Sequence, residues 1–318
     1  MDFTRRRFLQ ATGGLVAASS LPALADDPSV FPARGGYERL VLAYQRIDAG
    51  ATAPFSILHI SDTHLTAAYP NEADAADKAK SMKRRTRTFG GRQEEALRDS
   101  LAWAKKHVDY VLHTGDLIDW QSDANFDLVR KYYGPEVFGS VGNHEFYTYL
   151  PGEKHTWQEP FKERSWGLLK AKYPVDPRFS SKVVNGVNFV CVDDVFGTVQ
   201  PDQVEMFHAE AKKGLPIVLC MHVPFFTGFI WQAHERFWRG AGRFSAAGVA
   251  PEAKGDFKRQ LDDATTRDFI AYLKTERLLK GILAGHLHIS VQERFSPTAV
   301  QYVVGGNFMF HGQEILFT

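Results

Sequence analysis

Lys280-Gly281-Ile282-Leu283-Ala284-Gly285-His286-Leu287-His288 reads as a short buried strand that ends in two histidines two residues apart. In extended backbone, residues i and i+2 point the same way. The pair would then present two imidazoles on one side of a strand end. Neutral imidazole binds zinc, iron, nickel or copper. A His-x-His pair can equally be the polar edge of a strand, so its meaning depends on what other strand ends supply.

Four other apolar runs end in the same way. Pro54 to Ile60 leads into Ser61-Asp62-Thr63-His64. Asp109 to Thr114 leads into Gly115-Asp116-Leu117-Ile118-Asp119. Val137 to Val141 leads into Gly142-Asn143-His144-Glu145, and Pro216 to Met221 leads into His222. Taken singly, Asp62 or Asp116 could cap a helix, Asn143 could make a turn, and His222 could be a satisfied core histidine. Five strand ends with the same chemistry are harder to explain one at a time. Helical spacing over 92–107, 123–132, 201–213 and 265–275 alternates with these strands, a hairpin is expected across Asn185-Gly186, and short strands close the chain. The alternation predicts a single α/β domain, mainly parallel in its first half. In such folds ligands gather at the carboxyl ends of strands.

Taken together and in order, Asp62-x-His64, Gly115-Asp116, Gly142-Asn143-His144-Glu145, His222 and Gly285-His286-x-His288 resemble the calcineurin-like metallophosphoesterase superfamily over roughly residues 54–290. The resemblance implies an α/β sandwich of two central mixed β-sheets flanked by helices, with a two-metal site at the strand ends. It implies Asp62, His64 and His288 on the first metal, Asn143, His222 and His286 on the second, and Asp116 bridging both. The donors are carboxylate, amide and imidazole without thiolate, which suits Mn, Fe, Zn or Ni. Two such ions about 3.5–4 Å apart can share a hydroxide for attack on phosphorus. His144 would stand outside the coordination sphere and stabilise the transition state or protonate the leaving oxygen; a purely structural histidine is the alternative. Some relatives carry a tyrosine where this chain has Asp119, so a purple iron–tyrosine site is not expected. Asp119 is expected to orient His144 or a metal ligand by a hydrogen bond.

The remaining sequence frames this site. Thr4-Arg5-Arg6-Arg7-Phe8-Leu9-Gln10 carries the paired arginines of a twin-arginine export signal, and Ala23-Leu24-Ala25 offers a small-x-small cleavage site. The expected division is a signal peptide over 1–25, a linker over 26–36 and a metallophosphoesterase domain over 37–318, placed in the periplasm or secreted. No later apolar run is long enough to span a bilayer, which takes about 20 residues. The net charge of +1 argues against a dedicated nucleic-acid binder. Cys191 and Cys220 form either a disulfide or two buried thiols.

Two insertions are expected, at about 67–91 and 224–264. The first reads as irregular, with a basic run from Lys78 to Arg87 that faces either an anionic substrate or solvent. The second is aromatic: either a wall over the metals that brings Trp231 and Arg236 to the substrate, or a satellite apolar cluster. Tyr147 and Tyr149 are expected to line the pocket. The functional expectation is an exported binuclear metal-dependent phosphoesterase for a small organic phosphate ester, monoester or diester. The alternative is a non-catalytic, metal-bound exported binding protein on the same fold.

Overall fold

The alternation of apolar side chains decides the layering. In a computed structural model, which describes residues 39–73, 76–148, 159–238 and 255–318, strand β2 (Phe55–Ile60) sends Ile57 into one cluster and Leu58 and Ile60 into another. Strand β3 (Tyr110–Thr114) divides Leu112 from Val111 in the same way. Strand β6 (Val187–Val192) puts Phe189 and Cys191 on one face and Val190 and Val192 on the other. Strands buried on both faces read as continuous apolar runs, which is how these strands read in the sequence.

Two mixed sheets result. The first has the order β1-β11-β2-β3-β4, adding β1 (Val41–Ile47), β4 (Val137–Ser140) and β11 (His311–Phe317). The second has the order β5-β6-β7-β8-β10-β9, adding β5 (Phe179–Val184), β7 (Ile217–Cys220), β8 (Leu279–Ala284), β9 (Val291–Arg294) and β10 (Val300–Val303). Their inner faces share one core in which Phe55, Phe138, Phe189 and Phe317 meet ring to ring. The helices Gln93–His107 and Asp123–Tyr132 cover the outer face of the first sheet through Leu97, Trp103, Phe126 and Val129. Pro201–Ala211 and Ala264–Leu273 cover the second through Phe207, Phe269 and Leu273. Removing one such core side chain to alanine typically costs about 2–5 kcal/mol.

The parallel runs β2-β3-β4 and β6-β7-β8 bring their carboxyl ends to the loops that carry the candidate ligands. The chain end closes the first sheet: β11 runs antiparallel to β2 and parallel to β1. Residues 67–91 are not irregular, as expected from the sequence, but hold a 3-10 turn (Pro70–Ala73) and a helix (Ala76–Thr88). Cys191 and Cys220 face each other across β6 and β7 as buried free thiols. Among the described residues no helix is long and apolar enough to cross a membrane. The expected signal 1–25 and linker 26–36 lie outside the described residues.

Candidate metal centre

The strand ends do not continue as extended chain. Asp62, His64, Asp116, His286 and His288 have φ of 56°, 54°, 55°, 67° and 55°. Each is a non-glycine residue in the left-handed region, a conformation that costs of order 1–3 kcal/mol and persists where surroundings enforce it. The parallel imidazoles expected from extended backbone are therefore replaced by a divergent pair. His288 turns to Asp62 and His64, whereas His286 turns to Asp116 and His222. Gly115 makes the close approach possible. With φ of 96°, a Cβ there would lie 2.6 Å from both the Gly142 amide nitrogen and Nδ1 of His222.

Three groups of side chains converge: Asp62, His64 and His288; His64, Asp116 and His144; Asp116, His222 and His286. Asp116 joins them, with Oδ2 3.6 Å from Nε2 of His64 and 3.3 Å from Nε2 of His222. His288 Nε2 lies 3.1 Å from Asp62 Oδ1 and 3.2 Å from His64 Nε2. His286 Nδ1 lies 3.2 Å from His222 Nε2.

The far side of three of these imidazoles is held. His64 Nδ1 lies 3.0 Å from Asp119 Oδ1, His222 Nδ1 2.7 Å from the Thr114 carbonyl, and His286 Nε2 3.1 Å from Asp256 Oδ2. In each case the remaining nitrogen faces the cluster, the arrangement by which outer partners orient metal-binding histidines. Asp119 also lies 3.0 Å from His144 Nδ1.

Carboxylates brace the backbone as well. Glu145 accepts from the amides of Asp116, Leu117, Ile118 and Gly142 at 2.8–3.3 Å and from the Tyr173 hydroxyl. Burial, with the charge of Asp116, pushes Glu145 up to about 7. Asp194 accepts from the amides of His222 and Val223.

The carboxylates and imidazoles of the cluster are electrostatically linked. Burial alone would raise Asp62 and Asp116, yet the histidines around them hold both well below the usual carboxylate range. Burial opposes charge on His222, but Asp116 and Asp62 push it up to about 10. At the centre Asp62 Oδ1 faces His288 Nε2 at 3.1 Å, and the buried Asn143 Oδ1 accepts no hydrogen bond. Buried acceptors of that kind are rare in folded proteins and call for an ion or water. The carboxylates of Asp62 and Asp116, grouped with the imidazoles of His64, His222, His286 and His288, are a donor set that suits borderline or hard metal ions.

The expected substrate contacts fare differently. Tyr147 is buried, accepts from Asn143 Nδ2 at 3.1 Å and packs its ring against His144. Trp231 is buried among Ile230, Phe257, Leu287 and Ile289, on the apolar face by which the helix Gly228–Trp238 docks. Arg236 lies on the exposed face of that helix with Phe229, Gln232 and Phe237. From the same helix, Trp238 donates to the Leu287 carbonyl with its ring 6.4 Å from His288. Tyr149 lies outside the described residues.

Sequence reasoning passed over Phe89, Asp194 and Asp256, counted Arg85 only within the basic run Lys78 to Arg87, and used Glu145 only as part of a motif. Phe89 stacks on His64 at 4.0 Å. Arg85 and Asp256 come from the two insertions, where no strand end marks them.

A model described as calcineurin-like phosphoesterase matches residues 55–290. No curated protein matches the chain. Among solved structures, a dimetal phosphatase from Danio rerio is similar at 15% identity and a TM-score of 0.47, over 82% of this chain and 91% of that one. A phosphopantetheinyl hydrolase from Mycobacterium tuberculosis is similar at 14% identity and a TM-score of 0.38, over 80% and 91%. A 5'-nucleotidase from Candida albicans is similar at 13% identity and a TM-score of 0.38, over 84% of this chain and 47% of that one.

Proposed function

We propose, since this chain belongs to the calcineurin-like phosphoesterase family and is a metal-dependent phosphoester hydrolase, that it cleaves a small organic phosphate ester at a centre of two metal ions. The observation that supports the reading best is Asp116. It stands between His64 and His222, with Asp62 Oδ1 facing His288 and Asn143 Oδ1 accepting no hydrogen bond. Asp62, His64 and His288 would hold one ion, Asn143, His222 and His286 the other, and Asp116 both. Two bound ions would supply an acidified water and neutralise the phosphoryl oxygens.

The chain's own residues carry the rest. The His144 amide donates to Asp116 Oδ1 at 2.8 Å, which fixes the turn relative to that carboxylate. The His144 ring is held by Asp119, and although burial opposes its charge, Asp116 and Asp119 raise it. A raised imidazole suits proton delivery to the leaving oxygen. Glu145 and Asp194 fix the loops so that little reorganisation accompanies charge development.

The test is protein stripped of metal and refilled with Mn, Zn, Fe or Ni, assayed on an aryl phosphomonoester and an aryl phosphodiester. Hydrolysis of either supports the reading. Two bound ions without turnover of any ester would favour a binding protein instead. Export is the second part of the proposal, supported by Arg5-Arg6 and the Ala23-Leu24-Ala25 site. Changing both arginines to lysine should leave the protein in the cytoplasm with its leader intact; unimpeded export would refute it.

A further inference from the structure

The basic run from Lys78 to Arg87 falls on the helix Ala76–Thr88. Lys80, Lys83, Arg84 and Arg87 are spaced i, i+3, i+4 and i+7, which places them on one helical face, and all four are exposed. The opposite face turns inward. Met82 is buried, Phe89 just past the helix stacks on His64, and Arg85 donates to Asp119 from Nε at 2.8 Å and from Nη2 at 2.7 Å. The helix thus packs one face beside the candidate centre and shows a stripe of four cations to solvent.

Among the described residues, none of these four side chains forms an ion pair or a hydrogen bond. Exposed cations on other elements do face acids: Arg130 with Asp127, Lys131 with Glu94, Lys170 with Asp176 and Lys213 with Glu210. Each member of the stripe also lies three or four residues from two others, the spacing at which like charges destabilise a helix. The whole chain carries a net charge of only +1, so the stripe is a local excess. Such an excess is complementary to an anionic surface. The hydroxyls of Thr86 and Thr88 bond back to the carbonyls of Met82 and Arg84. No aromatic and no amide side chain occurs between Ala76 and Thr88, so the face has nothing to stack on a base or to read one. It offers charge alone, along about 10 Å of helix. Clusters of four or more Lys and Arg on a helix suit the headgroups of anionic lipids. The helix's one large apolar side chain, Met82, is buried, which leaves nothing to enter hydrocarbon.

We propose that Lys80, Lys83, Arg84 and Arg87 form a docking face for an anionic lipid bilayer, held at the headgroups without insertion.

The experiment is flotation of the full chain with phosphatidylcholine vesicles, plain or containing about 30% phosphatidylglycerol, at low salt. Every protein carries Arg5→Gln, Arg6→Gln and Arg7→Gln, so that the basic leader adds nothing. The parent should bind the anionic vesicles, ignore the neutral ones, and be released at about 0.5 M NaCl, where the screening length falls to about 4 Å. Changing Lys80, Lys83, Arg84 and Arg87 together to glutamine should lower the partition coefficient at least tenfold. Changing Arg130, Lys131, Lys170 and Lys213 together to glutamine removes the same charge from paired sites and should lower it less than threefold. Equal losses in the two would mean that net charge alone attracts the vesicles, and would overturn the proposal. A parent that ignores anionic vesicles, or binds neutral ones as well, overturns it too. If circular dichroism shows that the stripe variant does not fold, the pairs Lys80→Gln/Lys83→Gln and Arg84→Gln/Arg87→Gln decide, each with a required loss of at least threefold. Binding of a DNA duplex through the same four residues, without binding of vesicles, would overturn the proposal in favour of a nucleic-acid face.

Discussion

The Asp256 carboxylate lies 3.1 Å from Nε2 of His286, which turns Nδ1 of that ring toward His222. Asp256 opens the helix Asp256–Asp262 in the second insertion and is shared with Arg259. The insertion thus returns to the centre as a support for a candidate ligand. Asp256→Ala should weaken metal affinity on the His286 side by roughly 10–100-fold, as loss of an orienting partner usually does, with Asp256→Asn retaining part of it. Chelator competition would measure this. Unchanged affinity in the Ala variant would show that His286 needs no such support.

Glu145 is a structural keystone, since one carboxylate satisfies four amides from two strand-end loops. Glu145→Gln places a donor where an acceptor is required. The variant should lose about 2–4 kcal/mol of stability, the scale of a broken buried network, and should bind metal more weakly. Denaturant unfolding of the metal-free protein would test the first part, and a loss below about 0.5 kcal/mol, the scale of a neutral surface change, would contradict it.

His144→Ala separates catalysis from metal binding. If His144 delivers the proton, the variant should keep its metal content and lose roughly 10²–10⁴-fold in kcat. Metal loss measured by elemental analysis would show that His144 is a ligand, a role its place beside His64 and Asp116 also permits geometrically.

The sheets and the converging strand ends were legible because both rest on local pattern. β2, β3, β7 and β8 are largely apolar runs, and each gives way to polar residues soon after it leaves the sheet. The backbone at those breaks was not legible: Asp62, His64, His286 and His288 take positive φ, which nothing in their residue types announces. The surroundings of Trp231 and Arg236 were not legible either. Aromatic and basic residues after His222 suggest a substrate wall, but the helix they form spends Trp231 on its own docking face. Arg85 and its exposed neighbours read alike in sequence, and only the rotation of the Ala76–Thr88 helix singles it out.

Gly115 tests whether the strained loops matter. A methyl group there meets backbone of Gly142 and the His222 ring, and the residue sits at φ of 96°. Gly115→Ala should cost more than about 1 kcal/mol from conformation alone and should displace His222, which lowers metal affinity together with stability. Calorimetric unfolding with and without metal separates the two losses. Wild-type behaviour in both would mean that the loops have more room than the distances allow.

His59 offers a pH signature that lies outside the candidate ligand set. It is fully buried, with Nε2 2.9 Å from the Thr114 hydroxyl oxygen. Burial lowers its pKa from 6.5 to about 3. A base whose folded pKa is depressed contributes stability that is complete above its unfolded value and is lost as pH falls toward the folded one. Between about pH 6.5 and 3 the unfolded chain takes up a proton that the native His59 refuses, so each unit of acidification costs up to about 1.4 kcal/mol for this group. His113, also lowered to about 3 by burial, acts in the same direction. His59→Gln keeps a donor near Thr114 and removes the titration. Unfolding free energies of the metal-free variant should therefore fall less steeply between pH 6 and 4, by close to one proton. An unchanged slope in a folded Gln variant would mean that His59 is protonated in the native state, against its burial.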